Sequence, residues 1–178
     1  MCSRTFRNLT LALAGLISSL LAPASEIDAK LKELGIEIPK TNAPVANYVP
    51  AVRSGNLVFL AGAIAKNQDG SFVKGKLGID TSIDQGYKAA RAVGVSLLAA
   101  LLAEIGDLDR VERIVKVEGY VNCSPDFEKQ SQVINGCSDL LVEVFGEKGR
   151  HARFAVGASS LPFGAPVEIS AIVEISDD

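Results

Sequence analysis

Tryptophan is absent from this chain, and histidine and methionine occur once each. Three cysteines, Cys2, Cys123 and Cys137, have no paired metal-ligand spacing. With His151 as the single histidine, a Cys/His zinc site cannot be assembled, so no metal is predicted. Lysine and arginine are scattered and the formal net charge is −3, which leaves no basic stripe to hold nucleic acid. The glycines show no G-x-G-x-x-G or P-loop spacing, so no phosphate cradle is expected. Ser159-Ser160 lacks the accompanying His/Asp order of a nucleophile. These absences leave no metal or cofactor to expect.

At 178 residues the chain is long enough for one domain with a real core. Residues 1–25 carry Arg4 and Arg7, then an uncharged run, and the first acid is Glu26. That is the layout of a signal peptide, with Ala22-Pro23-Ala24 as an A-x-A cleavage site, and an organelle transit peptide or a disordered extension shares it. The apolar run 9–21 is short for a membrane span of ~20 residues, so no membrane anchor is expected in the mature form. Export to the periplasm follows if residues 1–24 are removed, and a cytoplasmic or organellar location otherwise. Residues 26–46 read as a helix with Ile27, Leu31 and Leu34 on one side, then a proline-bearing connector. The compact domain is placed at 47–178.

Within it, residues 47–53 and 57–61 read as a hairpin around Ser54-Gly55-Asn56, with a short strand or extended piece at 72–76. Gly62, directly after a buried strand, suggests backbone approaching another group closely. Overlapping capping signals at 81–85 open a long amphipathic helix that carries Ala90, Val93, Leu97, Leu98, Leu101 and Ile105 and stops at Gly106. Residues 110–123 alternate as a half-buried central strand, with Val115, Val117, Gly119 and Val121 on one face. Ser124-Pro125-Asp126 is taken as a helix start, with the helix running to about Phe145. Cys137 would then lie about 18 Å along that helix from its start. A disulfide needs Cα atoms within roughly 7 Å, so Cys123 and Cys137 are expected as free, buried thiols.

Two strands close the chain, 152–158 and 167–175, with Arg153 at the mouth of the first and Glu168 inside the second. A cation and an acid on neighbouring strands would form an anion-binding and water-handling pair. The order of elements predicts an α+β fold, a mixed sheet with two helices on one face. No element remains for the other face, so self-association is expected to cover it.

The segments ARFAVGASSLP and VEISAI resemble the C-terminal signature of the YjgF/RidA family of enamine/imine deaminases. VANYVPAVRSGNL, VNCSPDF, the GRHAR loop and SLPFGAPVE resemble the branch of it labelled endoribonuclease L-PSP/chorismate mutase-like. The resemblance spans nearly everything after about Glu26. It implies a chorismate-mutase-like fold and a homotrimer with clefts between subunits. It also implies that Arg153 binds a substrate carboxylate, Glu168 positions water, and Tyr48 and Asn135 complete the pocket beside Gly62. Departures from the family pattern are Ala61 and Ala63 around Gly62, Ala155 after the arginine, and Ser170 in the last strand.

The expected partner is therefore a small carboxylate-bearing substrate, with hydrolytic deamination of 2-aminoacrylate-type intermediates as the leading function. A non-catalytic trimer that binds keto or amino acids is the alternative. The endoribonuclease of the branch label fits a chain with one histidine and net negative charge poorly. Chorismate mutase fits less well still, since a dianionic substrate calls for several converging cations. His151 reads as a solvent-facing loop group, Asn135 as helix surface unless the resemblance holds, and Tyr48 as either a core aromatic or a pocket donor.

Overall fold

A computed structural model describes residues 25–40 and 47–177, and the expected leader at 1–24 lies outside them. Helix α1, Glu26–Glu33, is capped by the Ser25 hydroxyl. Asp109 accepts from the backbone N–H groups of Glu26 and Ile27, and Leu31 joins the main core. Strands β1 (Ala51–Ser54) and β2 (Leu57–Ala63) form the predicted hairpin. Strand β1 starts four residues later than expected, because Pro50 has no N–H for the ladder.

Helix α2, Ile83–Ile105, has the full capping box between Ser82 and Gln85 and ends at Gly106 in the left-handed region. Its expected apolar stripe is buried throughout. Strand β3 is Val111–Asn122. Two register irregularities near its start shift the alternation, so Ile114 is buried and Val115 only half-buried, against the predicted face. Helix α3 is Gln130–Phe145, starting five residues after the expected Pro125. Ser124-Pro125-Asp126 instead makes a turn closed by Phe127 N–H donating to the Ser124 carbonyl. Serine, proline and aspartate suit a turn as well as a helix start, and here the turn prevails. Residues 72–76 form no strand, only a bridge from Phe72 to Lys66.

Strands β4 (Ala152–Ala158) and β5 (Val167–Ile175) fall where the sequence places them. They are not neighbours: the sheet order is β1-β2-β5-β3-β4, with β3 between them. Strand β4 runs parallel to β3, and the other pairings are antiparallel, giving a mixed sheet. Helices α2 and α3 cover one face. Val58, Leu60, Val117, Val121, Ile169, Val173 and Ile175 point into the core beneath them. Cys123 and Cys137 are both free and buried, as expected. The opposite face exposes Val52, Phe59, Tyr120 and Val156.

Candidate active site

Arg153 stands opposite Val117 in the β3–β4 register, and its side chain reaches α3 on the helix-covered side of the sheet. There Nη1 donates to Asn135 Oδ1 at 2.9 Å and to Ser138 Oγ at 3.0 Å. Asn135 and Ser138 are spaced i,i+3 on α3, which puts both on one face of the helix. Arg153 and Asn135, which the resemblance assigns to one pocket, are in direct contact. The structure adds Ser138, whose signal was the Asn-x-x-Ser spacing. Among the described residues no carboxylate lies within ion-pair distance of Arg153. Its charge is held by neutral oxygens alone.

His151 does not face solvent as predicted. It is half-buried, 3.0 Å from Ser138 Oγ and 2.6 Å from the Gly149 carbonyl. Burial pushes its pKa below the ordinary imidazole value, the Gly149 carbonyl pulls it back, and Arg153 adds to the lowering. Cys137, on the same helix, is inert: burial pushes its thiol up to about 12.

Glu168 lies on the other face. Residues of β5 alternate, so Val167, Ile169 and Ala171 enter the core while Glu168 and Ser170 face outward. A bulge in β2 sets Ala61 and Gly62 between the Leu60–Ala171 and Ala63–Ile169 pairs. This brings the Gly62 backbone under the carboxylate, where a Cβ on Gly62 would lie 2.5 Å from Glu168 Oε1. The predicted close approach is to Glu168. Desolvation raises the pKa of Glu168 above the usual carboxylate range. Around it Gly62, Glu118, Tyr120, Leu161, Glu168 and Ser170 line an open cleft of about 340 Å³. Ser170, one of the departures noted in the sequence, donates to Glu118 at 3.1 Å. Lys116 holds the other Glu118 oxygen at 2.6 Å and keeps that carboxyl below its usual range.

Arg153 and Glu168 therefore do not meet within one chain. They occupy opposite faces of the sheet, two strands apart, which corrects the expectation of neighbouring strands. Tyr48, 58% exposed ahead of β1, contacts neither group through a hydrogen bond among the described residues.

A mixed five-stranded sheet with two helices on one face defines a chorismate-mutase-like α+β protein. Residues 28–174 match the family model described as "YjgF/chorismate mutase-like, putative endoribonuclease". The chain belongs to this YjgF/RidA family. It is 46% identical to Protein TCP17 of Trypanosoma cruzi over 155 residues, which is 86% of this chain and 97% of the relative. The crystal structure of Atu1372 from Agrobacterium tumefaciens, a protein of unknown function, aligns with a TM-score of 0.76 at 44% identity. That alignment covers 84% of this chain and 91% of the other. RidA from a Psychrobacter species aligns with a TM-score of 0.54 at 26% identity, over 76% of this chain and 94% of the other.

Proposed function

We propose that this protein is a cofactor-free hydrolase of small enamine/imine acids, with Arg153 as the carboxylate anchor. The observation that carries the reading is the Arg153 guanidinium, tied to Asn135 and Ser138 but lacking a carboxylate partner among the described residues. Its planar fork matches a carboxylate and stays charged at any physiological pH. Water adds to the imine carbon, and the resulting carbinolamine loses ammonia to leave the keto acid. The imine is itself the electrophile, so holding it beside a water and a weak base suffices. Glu168, with its raised pKa, suits that base.

Because the two groups point away from each other in one protomer, a complete site requires a second copy. The apolar open face with Val52, Phe59, Tyr120 and Val156 supports association into a trimer, each cleft pairing one copy's Glu168 with the next copy's Arg153. The test is ammonia release from 2-aminoacrylate generated in situ. Wild type is expected to accelerate it, and Arg153→Ala to lose about 10²-fold, the worth of a charge-assisted hydrogen-bond pair. A wild type without acceleration, matched by Arg153→Ala, would sink the reading. Ala61 and Ala63, which offer no polar group beside Gly62, favour the alternative of a keto- or amino-acid-binding oligomer. Ligand-induced thermal stabilisation without turnover would select it.

A further inference from the structure

Behind Arg153 runs a line of hydrogen bonds that the deamination steps leave unused. The Gly149 carbonyl can only accept, so His151 Nδ1, 2.6 Å away, carries the proton of the neutral ring. Nε2 is then an acceptor, and the Ser138 hydroxyl donates to it across 3.0 Å. The same serine oxygen accepts from Arg153 Nη1. The donors thus run in one direction, from Arg153 through Ser138 and His151 to Gly149, and all three side chains are half-buried.

We propose that Ser138 and His151 are positioning residues for Arg153, and that a carboxylate bound at Arg153 draws a proton onto His151. This rests on Arg153 being the carboxylate anchor. The geometry accommodates the imidazolium, because a serine oxygen has two lone pairs. It accepts from both His151 Nε2–H and Arg153, which frees its own proton to donate elsewhere. Two things oppose protonation, burial and the guanidinium charge, while the Gly149 carbonyl favours it.

Other charges around the ring are compensated or absent. On α3, the neighbours of Ser138 are the neutral Cys137 thiol and Asp139, which accepts from Tyr87 of α2. In the preceding loop Glu147 pairs with Arg150, and Lys148 with Glu112 of β3. On the far side of the sheet, Lys116 pairs with Glu118. Arg153 is the charged group acting on His151. An anion on Arg153 offsets that repulsion, so its binding takes up a proton. By linkage, affinity for the anion rises as pH falls.

Pyruvate, whose carboxyl stays ionised over the range, serves as the probe in calorimetric titrations of the full-length protein. Buffers of different ionisation enthalpy at about pH 5.5 and about pH 7.5 report proton uptake. Wild type should bind about three- to tenfold more tightly at the lower pH, with net proton uptake. In His151→Gln the amide can accept from Ser138 and donate to Gly149 without titrating. That variant should keep the affinity measured at the higher pH within about twofold and lose most of the uptake. Ser138→Ala should weaken binding about three- to tenfold at both pH values, the worth of one hydrogen bond. Glu168→Gln, run in parallel, subtracts any proton taken by that carboxyl. Uptake unchanged in His151→Gln, or affinity unchanged in Ser138→Ala, overturns this inference and leaves the anchor standing. If wild type and Arg153→Ala alike show no saturable binding, the anchor and this inference fall together.

Discussion

Glu168 rests against a backbone that has no side chain to push it away, and this sets what a single methyl group would do there. The Cβ of Gly62→Ala meets Glu168 Oε1 at 2.5 Å, so the carboxylate must swing aside. Because the obstacle is a flexible, half-exposed side chain, stability should stay within about 0.5 kcal/mol, while on the proposed role of Glu168 as the base turnover falls by about 10²-fold. A melting temperature that drops together with activity would contradict this. The raised pKa of Glu168 has a second consequence. A carboxyl whose folded pKa exceeds its unfolded value favours folding below the unfolded pKa, and that contribution disappears as pH rises through the folded one. Glu168→Gln should therefore raise the melting temperature at about pH 7.5 more than at about pH 4, as scanning calorimetry at the two values would report. Arg153, Glu168, Asn135 and Gly62 were legible as residue types in recognisable segments. The Asn-x-x-Ser spacing places Ser138 on the face of Asn135, but the Ser138–His151 contact had no such signal, because a hydrogen bond between a helix and a strand's mouth leaves no fixed sequence spacing.

Elements were read well where local chemistry leaves one solution. The capping box at Ser82 with Gln85, and Gly106 in the left-handed region, fixed α2 at both ends. Ser82→Ala should cost about 1 kcal/mol in urea unfolding, and a change near zero would show that tertiary contacts alone hold this end. Where α2 and α3 cross, Gly136 has no room for a side chain, since a Cβ would run into the Tyr87 backbone carbonyl. Gly136→Ala should destabilise by about 3 kcal/mol, because backbone cannot move aside as a side chain can. The late start of α3 was missed because Ser-Pro-Asp satisfies turn and cap rules equally. Backbone bonds decide between them: Leu77 N–H donates to the Asn122 carbonyl, and Ser124 N–H donates to the Leu77 carbonyl. These hold 122–124 extended. The bulges in β3 were also invisible, since they answer to the register of β5.

Among the described residues no element covers one face of the sheet, and the exposed apolar side chains there, Val52, Phe59, Tyr120 and Val156, belong to strands from both edges and the interior. On the proposal of a trimer built through this face, Phe59→Glu should split it, and light scattering would then report the monomer mass with the proposed deaminase activity lost even though Arg153 and Glu168 are intact. A variant that stays assembled and active would argue for a different interface. The sequence by itself determined the α+β class, the strand-helix order and the residue types of the site, because periodicity, caps and turns are set by neighbours within a few positions. Tertiary structure alone decided that β3 separates β4 from β5 and that Arg153 and Glu168 look out from opposite faces. Strand order depends on which distant segments pair, and the face a residue takes reverses with each single-residue shift of register. A cation and an acid fifteen residues apart in the chain thus stand on opposite faces of one sheet.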